Sequence, residues 1–223
     1  MKHIAILMIL GSSAVVQAAP IPVVFNSESY TTSAFASVPN GQDGPYTDVA
    51  SPPGMTQITS ATASDAGGGA FASGIVDSRF LGASADVTHS SGDAFGSGIA
   101  TYEGRFDTAG GLLRLTLNFD AQVSGSAANL LNVVFVANGV TLFDDNFSLT
   151  GEYALDFLLP QAASGVLDLT LSSTADSTAG SGFGLSSTFF ALNSVPTPGG
   201  LALCLLGLGG LALNRGRRVS SST

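Results

Sequence analysis

The sequence predicts an all-β protein, a β-sandwich of jelly-roll type, followed by a single short C-terminal transmembrane helix. Three observations carry this. No stretch between Ala19 and Pro198 holds an apolar stripe at 3.6-residue spacing. Several segments there alternate apolar and polar residues with period two, separated by Gly, Pro, Asn and Asp clusters. Beyond Pro198, Gly199 to Leu213 is 15 residues without a charge, closed by Arg215, Arg217 and Arg218.

The chain opens with Lys2 and His3 before Ile4-Ala5-Ile6-Leu7-Met8-Ile9-Leu10, then reaches Val16-Gln17-Ala18-Ala19. A basic start, a short apolar run and small residues at a cleavage point read as a secretory signal peptide over 1–18. Residues 19–194 form the exported domain and 195–223 a tail. From Ala19 to Pro198 there are sixteen carboxylates against three arginines (Arg79, Arg105 and Arg114), a formal charge of −13. Nucleic acid and anionic membrane surfaces are repelled by that balance. The one cysteine, Cys204, lies in the tail, so no intrachain disulfide holds the exported domain.

Along that domain, Ile21-Pro22-Val23-Val24-Phe25 reads as an opening strand. The next 40 residues carry Pro39-Asn40-Gly41, Asp43-Gly44-Pro45 and Ser51-Pro52-Pro53-Gly54, and read as loops joining short strands. Strands follow near Ala70 to Val76 and Ala83 to Thr88. Leu113, Leu115, Leu117, Phe119, Ala121 and Val123 then alternate with polar residues, as half-buried antiparallel strands do. Tyr153, Leu155 and Phe157 repeat the pattern, and so do Leu167, Leu169 and Leu171. Asn138-Gly139 signals a type I′ hairpin. Its geometry sets Ala137 opposite Val140, Phe135 opposite Leu142 and Val134 opposite Phe143, and two apolar faces place it in the middle of a structure. Ser187 to Leu192 is the last strand, for about ten in all. A parallel β-helix is the alternative, but no fixed-period repeat supports it.

Chemistry-bearing groups are sparse. His89 is the domain's one histidine and reads as a loop or strand-surface residue, with no second His or Cys to complete a transition-metal set. No Gly-x-Ser-x-Gly elbow and no P-loop lysine occur. The paired carboxylates Asp144, Asp145, Glu152 and Asp156 are the one route to glycoside chemistry, although Asp144 and Asp145 point to opposite faces of a strand. No catalytic residue is assigned and no cofactor is required. Calcium is the cation the acidic residues would suit, with Asp43, Asp48, Asp144 and Asp145 as its oxygen ligands. Carbohydrate contact calls for exposed aromatics. Tryptophan is absent, most of the 14 phenylalanines fill the core, and Tyr46 in its Pro/Gly-rich segment is the candidate glycan contact.

The tail has three parts: Pro196-Thr197-Pro198, the apolar span 199–213, and the basic end 215–218 with Arg215, Arg217 and Arg218. Fifteen residues span roughly 22 Å as a helix, short of the ~30 Å hydrocarbon core, and the arginines stay cytoplasmic. This arrangement resembles the PEP-CTERM sorting signal of Gram-negative bacteria, also known as the C-terminal domain of ice-binding proteins. Thr197 stands where that motif has glutamate. The resemblance covers Val195 to Thr223 alone. It implies an exosortase-like membrane protease-transpeptidase as partner, with processing beside the prolines and release or display at the cell surface. It also implies association with exopolysaccharide and biofilm matrix. The expectation is a non-enzymatic exported matrix protein. The alternatives are a carbohydrate-binding module, with or without stabilising calcium, and a glycoside-active enzyme using paired carboxylates.

Overall fold

A computed structural model describes residues 19–50, 56–90, 92–178 and 180–196. The expected signal peptide (1–18), Thr197, Pro198, the apolar span and Arg215, Arg217 and Arg218 lie outside the described residues. Among the described residues there are thirteen strands and no helix long and apolar enough to cross a membrane.

In chain order the strands are β1 (Ile21–Pro22), β2 (Phe25–Val38), β3 (Gly41–Ala50), β4 (Gln57–Asp65), β5 (Gly68–Asp77), β6 (Phe80–His89) and β7 (Phe95–Thr108). There follow β8 (Gly111–Gly125), β9 (Ala127–Ala137), β10 (Val140–Phe147), β11 (Gly151–Leu159), β12 (Ala163–Asp176) and β13 (Ser181–Val195). Two sheets form. The first runs β11-β8-β13-β6-β5-β4, with β1 beside the end of β13, and the second runs β10-β9-β12-β7-β2-β3. All ladders are antiparallel, which excludes a parallel β-helix. The sheets face each other as a β-sandwich, and the period-two pattern explains why. Leu113, Leu115, Leu117 and Phe119 on β8 are buried, as are Leu167, Leu169 and Leu171 on β12, while their neighbours turn outward. Each such leucine contributes about 2 kcal/mol by leaving water.

The interior changes character along the strands. One half packs large side chains, including Tyr102, Phe106, Phe119 and Phe135. The other is built from Ala34, Ala36, Ala61, Ala63, Ala70, Ala72, Ala85 and a few valines. Between β5 and β7 the backbones meet. A Cβ on Gly98 would lie 2.1 Å from the Ser73 carbonyl oxygen, and one on Gly74 would lie 2.1 Å from that of Ile99. The sheets here approach well inside the ~10 Å of ordinary stacking. Polar groups in the gap pair with one another. Thr32 and Thr59 share a hydroxyl contact of 2.6 Å, and Ser173 Oγ lies 3.0 Å from both Ser186 Oγ and the Ala83 carbonyl. Asn129 Nδ2 donates to the carbonyls of Gln122 and Leu185.

Several expectations need correction. The 40 residues after Phe25, expected as loops joining short strands, hold three strands of 14, 10 and 9 residues, and Pro39-Asn40 forms the turn between the first two. Inward positions there include alanines (Ala34, Ala36), so the alternation is written in small residues that carry a weak apolar signal. Gly44 and Pro45 fall at a bulge on edge strand β3, where the missing N–H costs no ladder bond. The opening strand divides: Ile21–Pro22 joins one sheet and Phe25 begins β2 in the other. The last strand runs from Ser181 to Val195, well beyond Ser187 to Leu192.

The Asn138-Gly139 turn has the two positive φ values of type I′ (50° and 76°), and Val140 pairs with Ala137. A bulge at Leu142 then shifts the register, so Phe143 rather than Leu142 lies opposite Phe135, and Asp144 lies opposite Val134. The hairpin is not central, because β10 is an edge strand. His89 is not on the surface. It points inward from β6, 4% exposed, and its Nε2 lies 2.8 Å from Asp65 Oδ1.

Candidate functional site

The outer face of the first sheet carries the most site-like geometry. Inward Thr188, Phe190 and Leu192 force Phe189 outward on β13, where it is 59% exposed. Phe80 begins β6 directly opposite it. The two rings lie 4.8 Å apart at 50° and form one apolar ridge. Gly82, two residues beyond Phe80 on the same face, lets that ring lie down on the strand, since a Cβ there would meet Phe80 Cε1 at 3.2 Å.

A cavity opens on each side of this ridge. One, of about 480 Å³, is lined by Thr116, Asn118, Glu152, Ala154, Phe189 and Ala191, among others. The other, of about 270 Å³, has a floor of small residues (Ser73, Gly82, Ser84 and Ser187) and walls that include Ile75, Phe80, Leu185, Asp120 and Gln122. Ser73 and Ser84 hydroxyls pair across the floor at 2.8 Å. Flat apolar faces beside a few amide, hydroxyl and carboxylate groups are what a small polar ligand with C–H surfaces needs. Beyond the first cavity, Asp156 accepts two hydrogen bonds from Arg114, at 2.7 and 2.8 Å, and this holds its carboxyl below the usual range.

At one end of the ridge Arg79 lies 4.6 Å from the centroid of the Phe25 ring, with Nη2 3.5 Å from Glu28 Oε1. Tyr102 donates to the same Glu28 oxygen at 2.7 Å, and Tyr30 donates to the Ser78 carbonyl. Both tyrosines are buried. Desolvation pushes the Tyr30 hydroxyl up to about 12 and raises that of Tyr102.

The residues singled out from sequence lie elsewhere. Tyr46 is exposed on edge strand β3 of the second sheet, and its Oη donates to Asp43 Oδ1 at 2.6 Å. The other Asp43 oxygen accepts the Thr62 N–H at 2.8 Å, and these bonds depress the carboxyl below its ordinary range. Asp48 is exposed on the same strand. Asp144 and Asp145 are on β10 at the opposite edge of that sheet, so the four aspartates do not converge. Among the described residues no three His, Cys, Asp or Glu side chains form a metal-holding group. Of the residues expected to form a sorting motif, Pro196 alone is within the described range. Phe80 and Phe189 are not among the sequence candidates, because phenylalanine is mostly a core residue. The parity of Thr188, Phe190 and Leu192 is the signal that exposes Phe189.

No family model and no curated protein matches this chain. Among solved structures it is similar to the enzymatically active domain of tailspike protein 4 from bacteriophage CBA120 (12% identity, TM-score 0.28), covering 73% of this chain and 19% of that one. It is also similar to the VP2 subviral particle of infectious bursal disease virus (12% identity, TM-score 0.26), covering 80% of this chain and 63% of that one. A third likeness is to the Gt strain of the same virus, at 12% identity and TM-score 0.21, covering 86% and 74%. The chain thus spans about a fifth of the tailspike chain and under two thirds of the VP2 chain. Likenesses this remote assign neither family nor activity.

Proposed function

We propose that this is a non-enzymatic exported protein of the cell surface or extracellular matrix that associates with polysaccharide through the outer face of its first sheet. The observation that carries the reading is the exposed Phe80–Phe189 ridge with amide, hydroxyl and carboxylate groups on both flanks. A jelly-roll topology is part of the proposal. From β6 to β13 the chain gives β6-β13-β8-β11 against β7-β12-β9-β10, the double Greek-key order, extended by β5 and β4 on one sheet and β2 and β3 on the other. A glycoside-active enzyme is the weaker reading, since Asp156 is held by Arg114 and shares the outward side of a single strand with Glu152.

Export follows from the signal peptide, and sorting from the Pro196-Thr197-Pro198, apolar-span and arginine tail, by its resemblance to exosortase substrates. Intact mass of the protein from cell-surface and culture fractions tests this half. The mature form loses Arg215, Arg217 and Arg218, and alanines at 196–198 lower its yield. Full-length protein confined to the inner membrane contradicts it. Binding of the secreted protein to a glycan panel tests the other half, with loss of binding in Phe189→Ala as the expected result.

A further inference from the structure

We infer that the outer face of the first sheet takes an uncharged polysaccharide chain, laid across the strands from β5 to β11 and clamped midway by Phe80 and Phe189. This rests on reading that face as the polysaccharide contact. The two cavities lie on either side of the ridge, one reaching β5 through Ser73 and the other reaching β11 through Glu152. Five neighbouring strands at ~4.8 Å give a track of ~19 Å, which suits several linked sugar rings rather than one. Phe80 and Phe189 supply apolar surface for C–H faces at the centre. Asn118 lies on one side, with Asp120 and Gln122 on the other, placed to meet hydroxyls.

Charge selects the class. Neither flanking cavity is lined by a cation, whereas Asp120 lines one and Glu152 the other; a third cavity, of about 490 Å³ at the end of the ridge, sets Arg79 beside Asp77. The nearest guanidiniums are occupied: Arg114 is bidentate on Asp156, and Arg79 pairs with Glu28 beside the Phe25 ring. A uronate or sulfated chain would bring its charge to two carboxylates with no counter-ion, inside a domain of strongly negative net charge. Aromatic contact at the centre and amides at the flanks need no charge on the ligand, so an uncharged chain gains those contacts without that repulsion. Asp120 and Glu152 act here as hydrogen-bond acceptors for sugar hydroxyls.

The test uses the secreted protein in affinity electrophoresis with three probes: a neutral glucan, a polyuronate and a cationic glucosamine polymer, each at 20 mM and about 300 mM salt, which spans strong and weak screening. The neutral glucan retards the protein equally at both salts, and the polyuronate does not. Phe189→Ala and Phe80→Ala each weaken the retardation roughly tenfold. Gly82→Ala, which pushes against the Phe80 ring without removing it, weakens binding by a smaller factor while the thermal midpoint holds. That separates lost ring placement from lost fold. Binding of either charged polymer that is tighter than the glucan's and is weakened by Phe189→Ala overturns the uncharged assignment and leaves the polysaccharide reading standing. No retardation by any of the three removes the polysaccharide reading itself.

Discussion

Asp43, on the edge strand of one sheet, accepts the backbone N–H of Thr62, on the edge strand of the other, at 2.8 Å. The bond joins the two sheets along their open side and covers an N–H that would otherwise template pairing with another chain. Its partner Tyr46 holds the carboxylate in place.

Removing that carboxylate should therefore loosen the edge. Asp43→Ala is expected to lower the thermal midpoint by a few degrees at neutral pH and to raise self-association, read by sedimentation velocity. The folded pKa lies below the unfolded one, so the contribution is fully present above the ordinary aspartate range and disappears as pH falls through the depressed value. The gap between variant and parent closes in acid.

Asp168 has the opposite sign. Burial raises its carboxyl pKa, with help from Glu103, which sits opposite on β7. The native state then holds its proton to higher pH than the unfolded chain, so stability falls as pH rises through that window. Asp168→Asn is expected to raise the midpoint by about 1–2 °C at pH 7, the scale of a fraction of a kcal/mol in a domain this size. That gain vanishes below the ordinary aspartate range.

Gly98 tests the close approach of the sheets. Its Cβ would lie 2.1 Å from one carbonyl oxygen and 2.5 Å from another, that of Ser84, both on backbone rather than on flexible side chains. Gly98→Ala should cost about 3 kcal/mol in urea unfolding, the upper range for overpacking. Gly41→Ala, whose Cβ would meet nothing nearer than Val38 Cγ2 at 3.7 Å, should change the same measurement little.

Ser173 tests the buried polar seam. Its hydroxyl lies among Asn129, Ser186 and the Ala83 carbonyl, with no exposure to solvent. Ser173→Ala leaves those partners short of a bond and is expected to cost about 1–3 kcal/mol by denaturant titration. Ser172→Ala, one residue away on the outer face, serves as the comparison and should have a much smaller effect.

What could be read from the chain followed the size of its side chains. Leu113 to Phe119 and Leu167 to Leu171 announced their strands because large residues alternated with polar ones. The same alternation at Ala34, Ala36, Ala61 and Ala63 is harder to read, since alanine says little about facing inward unless the opposing sheet is known to be close. The Asn138-Gly139 turn was legible because it is local, and its register was not, because a bulge at Leu142 leaves no sequence mark. The site was the least visible part. Phe80 and Phe189 are 109 positions apart in sequence and meet only through the pairing of β6 with β13. Asp65 and His89 likewise need the β4-β5-β6 meander to bring them together.

The alanine and glycine half of the interior also bears on how the domain responds to temperature. Methyl groups and bare backbone cover little hydrocarbon area, so unfolding that half exposes less of the surface responsible for a large heat-capacity change. A smaller heat-capacity change flattens the curve of stability against temperature, and cohesion there comes from close contact between the backbones of the two sheets rather than from expelled water. Such a layer keeps its strength in the cold, where oil-like cores weaken.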